Sequence, residues 1–339
     1  MKWIIGLDIG GTKCAVAAAQ VDSTIRIKAR AAFPTCAEKP FEQIREKLFG
    51  AVYEVLAQSG ISIREAAAIG VSCGGPLDSR RGIVLCPPNL PTWVNIPFVE
   101  MLRGEFGVPA YLQNDAKACA LVEWKLGAGR GAQNMIFLTM GTGMGSGIIA
   151  EGRLVCGACD MGGEVGHVRI EPDGPVGFGK HGSFSGFTSG GGIARLARQM
   201  ALEALEKGRP FAFAPDRQTA ALVDTKYLAA AAKTGDEDAR RIFEIVGEKL
   251  GKGIALLVDI LNPEVVVIGS IFGRCETLLR PRMEEVLARE CIPFSLKACR
   301  VVPAQTGEQI GDLSSVMAAV YGAGIEFEPV GGAACERPG

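Results

Sequence analysis

The chain has 339 residues, of which 48% are hydrophobic and 22% charged, and its formal net charge is −1. This composition indicates a folded globular protein, and the length suits two domains rather than one small core. The near-zero charge argues against binding to nucleic acid or to an anionic membrane. Neither a signal peptide nor an apolar run of bilayer length is visible. Eleven cysteines without a disulfide framework predict a cytoplasmic location.

The N-terminal segment predicts a phosphate site. Residues 2–31 are predicted to form three strands in a meander, and the first turn follows Asp8 directly. Glycines in such a turn let backbone N–H groups approach an anion closely. Asp8 stands at the mouth of the turn, where it is placed to hold magnesium through water. The alternative is an ordinary hairpin. The residues of the turn are Gly10, Gly11, Thr12 and Lys13.

The next elements alternate between helix and strand. A helix is predicted over 41–58 and a buried strand over 67–73, before a turn at 74–78. Three prolines exclude a helix from the loop 87–93. A strand over 109–113 then leads into a helix that begins at Asp115. This aspartate therefore lies at the carboxyl end of a strand, where open α/β sheets bind ligands.

A second glycine-rich hairpin resembles the first. A strand over 135–140, a turn over 141–147 and a return strand over 148–150 are predicted. Ser146 stands where the third glycine of a dinucleotide-binding G-x-G-x-x-G would be, no helix follows, and the P-loop motif does not occur. Two such hairpins predict a duplicated fold with a nucleotide between its halves.

The rest of the chain is mainly helical. Helices are predicted near 190–206, 217–233 and 236–261, strands over 264–269 and 297–302, and a last helix from Gly311. A loose tail is predicted over 326–339. Cys156 and Cys159 form a single C-x-x-C pair, a weak metal or redox signal because a second pair is lacking.

An ordered set of motifs resembles the ROK family of repressors, open reading frames and kinases, within the hexokinase and actin-like ATPase superfamily. The resemblance covers about residues 3–322. The matching segments are Asp8-Ile9-Gly10-Gly11-Thr12-Lys13, Gly74-Gly75-Pro76-Leu77-Asp78, Pro88-Asn89-Leu90-Pro91, Asn114-Asp115-Ala116, Gly141-Thr142-Gly143-Met144-Gly145, Gly163-Glu164-Val165-Gly166-His167, Ile268-Gly269 and Gly307-Glu308-Gln309-Ile310-Gly311-Asp312.

The resemblance implies an α/β fold of two RNase H-like domains with a cleft between them. It assigns residues 1–115 and 311–325 to a smaller domain and 116–310 to a larger one. It also implies a homodimer that uses ATP with magnesium to phosphorylate a sugar hydroxyl, usually the terminal one. Hexoses and amino-hexoses are the expected substrates.

The resemblance makes Asp115 the catalytic base. A sugar hydroxyl must lose its proton as the γ-phosphoryl group arrives, and a carboxylate within reach accepts it. By spacing alone, Asp115 serves equally well as a helix N-cap. The implied sugar contacts are Gly75, Asn89, Asn114, Glu164, His167 and Ser185. The implied nucleotide contacts are Asp8, Gly10, Gly11, Thr12, Lys13, Thr142, Gly143 and Gly269.

Some of these residues also fit a purely structural interpretation. Glu164 and His167 fit a surface carboxylate and a satisfied core histidine, and Lys13 fits a solvated hairpin lysine. Many family members hold a structural zinc with three cysteines and the histidine that His167 matches, but Val176, Phe178 and Ser183 occupy the cysteine positions. We therefore expect no structural zinc and a loop held by phenylalanine packing. Ser185 replaces a glutamate that contacts sugar, which leaves the preferred sugar open.

Three functions fit these patterns. The first is an ATP-dependent sugar kinase. The second is a non-catalytic sugar sensor like the repressors of the family, although nothing basic here replaces their DNA-binding domain. The third is another actin-fold ATPase, against which stand the predicted sugar contacts Asn114, Glu164 and His167.

Overall fold

The computed structural model describes residues 1–327, and its first part is built on a five-stranded sheet in the order β3-β2-β1-β4-β7. β1, β2 and β3 form an antiparallel meander, whereas β1, β4 and β7 are parallel. The elements are β1 (Lys2–Ile9), β2 (Lys13–Val21), β3 (Ile25–Pro34), α1 (Phe41–Ser59), β4 (Ala66–Cys73), β5 (Leu77–Asp78), β6 (Ile83–Val84), α2 (Phe98–Phe106) and β7 (Ala110–Asn114).

The second part repeats this pattern around a sheet in the order β10-β9-β8-β13-β14. Again three strands form an antiparallel meander and two more add in parallel. Its elements are α3 (Asp115–Leu126), β8 (Met135–Met140), β9 (Met144–Ala150), β10 (Arg153–Leu154), β11 (Val176–Gly177), β12 (Lys180–His181), α4 (Phe184–Thr188), α5 (Gly190–Glu206), α6 (Arg217–Leu222), α7 (Thr225–Lys233), α8 (Glu237–Leu261), β13 (Val265–Ser270), α9 (Ile271–Glu290), α10 (Pro293–Ala298), β14 (Arg300–Pro303) and α11 (Ile310–Gly322). The predicted duplication is confirmed.

Two helices, α3 and α11, pack between the two sheets. A Cβ at Gly70 in β4 would lie 2.0 Å from the Ser315 carbonyl oxygen of α11. A Cβ at Gly147 in β9 would lie 2.4 Å from Ala120 of α3. Glycines at these two strand positions therefore let each helix approach its sheet closely. As a result, α3 carries Asp115 into the seam between the two sheets.

Some predicted elements differ from the structure. The helix predicted over 217–233 is two helices, because Val223 is not helical and Asp224 caps α7 by accepting a hydrogen bond from Tyr227 N at 2.7 Å. Helix α9 was not predicted; it contains Pro281 and kinks at Cys275. The strand predicted from 297 begins at Arg300, after the short α10. Most of the predicted loose tail, residues 328–339, lies outside the described residues.

The lengths and compositions of the helices bear on whether any of them could span a membrane. Within residues 1–327, none is both long and apolar enough to cross a bilayer.

Candidate active site

Asn114 and Asp115 have different roles at the start of α3. The Asn114 side chain is the N-cap, because its Oδ1 accepts a hydrogen bond from Lys117 N at 3.2 Å. Asp115 is the first helical residue, and its Oδ1 accepts from Ala116 N at 2.8 Å. The alternative in which Asp115 caps α3 is therefore wrong. Its other oxygen, Oδ2, at 3.9 Å, is the only atom within 4 Å of the position of a Cβ at Gly74, and Asp115 is exposed, so this side of the carboxylate borders open space.

The environment of Asp115 raises its pKa. The residue is exposed at the cleft, yet the protein surrounds the carboxylate closely enough that desolvation disfavours the charged form. Hydrogen bonds from the backbone amides of Ala116 and of Asp115 itself lower the pKa in part. A carboxylate with a raised pKa is better matched to accepting a proton near neutral pH.

Asp8 lies near both Asp115 and Asp312. Burial, and then the charges of Asp115 and Asp312, raise the pKa of Asp8 from 3.8 to about 6, although Lys13 and a hydrogen bond with Ser72 lower it. Arg30 Nε donates to Asp312 Oδ2 at 2.7 Å. Because the like charges of Asp115 and Asp312 disfavour ionisation of Asp8, a cation bound nearby would be favourable here. Asp312 was not predicted as a site residue, although it ends the matching segment 307–312, which was the pattern that could have indicated it.

These carboxylates are suited to bind magnesium only through its water ligands. Among the residues that the structure describes, no group of three or more histidine, cysteine, aspartate or glutamate side chains is arranged to hold a metal ion. Magnesium commonly keeps several waters and takes the rest of its ligands from substrate phosphates. Asp8 therefore fits the predicted contact through water.

Replacing Asp8 by asparagine should stabilise the free protein while lowering its activity. Because the folded pKa of Asp8 is raised to about 6, the ionised form costs stability above that pH, and the cost disappears as the pH falls toward 4. We expect Asp8→Asn to raise the unfolding free energy by about 3 kcal/mol at pH 7.5, with less gain at pH 5. Urea denaturation at both pH values measures this.

Asp22→Asn is the matched control. Asp22 accepts hydrogen bonds from Thr24 N and pairs with Arg26, and these contacts lower its pKa. Its replacement should therefore not stabilise the protein at pH 7.5. A lower stability of Asp8→Asn than of the wild type at pH 7.5 would contradict the burial of an unfavourable charge at Asp8.

The first hairpin turns between β1 and β2, as predicted. Gly10 N donates to Lys13 O at 3.1 Å, and Thr35 Oγ1 donates to Gly10 O at 2.6 Å. A Cβ at Gly11 would lie 2.7 Å from Asn89 Cβ and 2.8 Å from Asn89 O. The absence of a side chain at Gly11 is thus required by the Asn89 loop, independently of any phosphate.

The second hairpin, between β8 and β9, borders a cavity of about 830 Å³. Gly141 N donates to Gly143 O at 3.0 Å, and Gly190 N donates to Gly141 O at 2.8 Å. This volume lies within the range of small-molecule sites. The lining residues are Gly141, Thr142, Gly190, Gly191, Ala194, Asp224, Thr225, Lys226, Ala229, Ala230, Lys233, Ser270, Ile271, Arg274 and Cys275.

At the end of β13, Gly269 was the predicted nucleotide contact, but it is the next residue, Ser270, that lines the cavity. A Cβ at Gly269 would lie 3.2 Å from the Phe137 ring, so this face of Gly269 packs inside the protein. Ser270 lines the cavity, with a φ of 61°, and its Oγ accepts from Arg274 Nη2 at 3.2 Å. Ser270 and Arg274 were both missed, because their placement depends on the unpredicted helix α9.

The predicted sugar contacts come from both halves of the fold. Asn114 Nδ2 lies 3.2 Å from the position of a Cβ at Gly75. Glu164 Oε2 and His167 Nε2 are 4.0 Å apart, and their side chains are 40% and 43% exposed. His167 is therefore not a core histidine, and that alternative is wrong. Asn89 is exposed beside Gly11.

Ser185 is placed differently from the other predicted contacts. It is buried in α4, and its Oγ accepts a hydrogen bond from Met144 N at 3.2 Å, behind the second hairpin. Its hydroxyl therefore supports the hairpin, and a sugar contact by Ser185 stays a prediction. Phe184 and Phe187 are buried, in agreement with the predicted packing of this loop, whereas Phe178 is half exposed.

Similarity to known proteins extends across both sheets and the cleft. The sequence model of the ROK family matches residues 4–319. A glucokinase from Thermotoga maritima is 32% identical over 92% of this chain and 95% of its own length. An N-acetylmannosamine kinase from Salmonella heidelberg is 30% identical over 87% of this chain and 92% of its own. The crystal structure of a ROK family glucokinase from Streptomyces griseus in complex with glucose and AMPPNP is 28% identical, with a TM-score of 0.74 over 94% of this chain and 99% of its own.

Proposed function

The chain belongs to the ROK family and is an ATP-dependent sugar kinase, and we propose that it phosphorylates the terminal hydroxyl of a hexose or amino-hexose. In this proposal Asp115 is the general base. One observation supports this above all. Asp115 begins α3 in the seam between two like sheets, with its pKa raised and one carboxylate oxygen bordering open space. The sugar class follows from the relatives, which are named glucokinase and N-acetylmannosamine kinase.

Each half of the fold would hold part of the substrates. Gly75, Asn89 and Asn114 would bind the sugar from one side, with Glu164 and His167 on the other. The backbone amides of the turns 10–13 and 141–143 would bind the phosphates, and the cavity beside Thr142 would hold the adenosine. Magnesium would neutralise phosphate charge near Asp8, Lys13 would assist it, and Asp115 would accept the proton of the attacking hydroxyl.

The non-catalytic sensor is the second candidate. A sensor needs the sugar contacts but no group to accept a proton, so the raised pKa of Asp115 favours the kinase. We further propose that residues 1–115 and 311–325 close as one domain onto residues 116–310, that the protein is a homodimer, and that it acts in the cytoplasm without a structural zinc. The division into domains follows the repeated sheets and the packing of α11 on the first.

Release of ADP across a panel of sugars tests the proposal. We expect ATP- and magnesium-dependent turnover with at least one of glucose, mannose and N-acetylmannosamine, and mass spectrometry should place the phosphate on the terminal hydroxyl. Binding of one of these sugars without any ADP release would support the sensor instead. Phosphate on another hydroxyl would contradict the proposed position.

A further inference from the structure

A tight turn places an aromatic ring at the edge of the candidate site. β11 and β12 form a hairpin whose two turn residues, Phe178 and Gly179, have φ values of 51° and 74°. Positive φ at both positions is favourable for glycine or asparagine, but it strains the backbone of a bulky aromatic residue. Strain of this kind persists where the surrounding structure holds it, and it often marks a functional position.

The Phe178 ring lies against two predicted parts of the site, both in the second half of the fold. It stacks on the His167 ring, with centroids 4.0 Å apart and planes inclined by 17°. Its Cζ atom lies 3.7 Å from the position of a Cβ at Gly143, at the tip of the second hairpin. The residue is 50% exposed, so these contacts are not the packing of a buried core. Phe178 therefore connects a predicted sugar contact with a predicted phosphate turn.

The hairpin is fixed relative to His167. Lys180 Nζ donates to the His167 carbonyl oxygen at 2.9 Å. Farther along, the Gly182 carbonyl oxygen accepts from Ile170 N at 2.9 Å and from Glu171 N at 3.1 Å. Because these bonds join the hairpin to the segment that follows His167, the Phe178 ring has a defined place over the imidazole.

We propose that Phe178 is a positioning residue, which holds the His167 imidazole in the orientation that binds the sugar and packs beside the Gly143 turn. This inference rests on the proposed role of His167 in sugar binding. Phe178 acts through its neighbours and takes part in no proton or phosphoryl transfer. The strained backbone is then the consequence of placing an aromatic ring where a glycine or an asparagine would fold more easily.

Three substitutions separate stacking from general stability. Phe178→Ala should raise KM for the sugar about five- to tenfold, the loss expected for one aromatic pair, with a smaller change in kcat. Phe178→Tyr keeps the planar ring and should retain the wild-type KM. Phe178→Asn removes the ring but suits the turn, so it should raise KM as alanine does without lowering the melting temperature.

A double substitution tests whether Phe178 acts through His167. In a His167→Ala background, Phe178→Ala should not raise the sugar KM further, because the ring no longer has an imidazole to orient. Phe294→Ala is the matched control, since Phe294 lies on α10 and is 85% exposed, and it should leave all constants unchanged. An unchanged sugar KM in both Phe178→Ala and Phe178→Asn, or additive effects in the double variant, would overturn the inference.

Calorimetry with glucose and N-acetylmannosamine gives the same comparison without turnover. Weaker sugar binding by Phe178→Ala than by the wild type supports the positioning role even if no phosphate is transferred. Equal binding by the two proteins overturns it. Failure of the inference is thereby distinguished from failure of the proposed kinase function, which only the release of ADP tests.

Discussion

Asp115→Asn should lower kcat about 10²–10⁴-fold while the affinity for sugar changes much less. Asparagine keeps the size of the side chain, and its Oδ1 can still accept from Ala116 N, but it cannot accept the proton of the attacking hydroxyl. Steady-state kinetics with the best sugar of the panel, and calorimetry for its binding, measure the two effects separately.

Folding controls accompany this substitution. Asn114, not Asp115, caps α3, so Asp115→Asn removes no helix cap and should leave the melting temperature unchanged or higher. Asp216→Asn is the matched control, because Asp216 caps α6 by accepting from Thr219 N at 2.7 Å, and it should keep full activity. Retained turnover in Asp115→Asn would refute the assignment of the base.

The pH dependence of the wild type provides a second test of the base. Desolvation raises the pKa of Asp115, so the protonated, inactive form should persist to a higher pH than for an ordinary aspartate. We therefore expect kcat/KM to fall as the pH decreases through that pKa. The part of this limb that Asp115 causes should be lost in Asp115→Asn, which leaves the titration of Asp8, whose pKa is raised to about 6.

The parts of the site that were predictable are local in sequence. A strand that ends in Gly-Gly-Thr or Gly-Thr-Gly forms its turn from neighbouring residues, so both hairpins were predicted. The return strand of the second hairpin begins at Met144, however, and not at residue 148 as predicted, so its turn is shorter than expected. The position of Asp115 was also local, because it depends on one strand and the helix that follows it. The repeat of the hairpins then indicated the duplicated sheets.

The parts that were not predictable depend on contacts distant in sequence. The cavity beside Thr142 is completed by residues of α5, α7 and α9, and no local pattern shows that these helices converge. Asp312 affects Asp8 only because α11 returns to the first sheet, nearly the whole chain later. The burial of Ser185 likewise follows from its contact with Met144 N, which spacing alone does not reveal.

Gly143→Val should weaken ATP binding at least about 100-fold, the equivalent of losing one or two charge-assisted hydrogen bonds from the backbone to phosphate. Gly143 is the better of the two turn glycines to replace. At Gly11 any side chain would also displace Asn89, a predicted sugar contact, whereas at Gly143 the nearest atom to a Cβ is Phe178 Cζ, at 3.7 Å. An effect at Gly143 therefore reports on the ligand rather than on the fold.

A graded series makes this test selective. Gly143→Ala should weaken ATP binding less than Gly143→Val, because its single methyl group reaches Phe178 at ordinary contact distance and intrudes less on the phosphates. Gly50→Val is the matched control, since a Cβ at Gly50 in α1 meets no atom within 4 Å. Calorimetry with a non-hydrolysable ATP analogue, and with sugar alone, should show that the nucleotide affinity follows the size of residue 143 more steeply than the sugar affinity, which changes only as far as the neighbouring Phe178 ring is displaced. Unchanged nucleotide affinity in Gly143→Val would mean that the second hairpin supports the fold without binding phosphate.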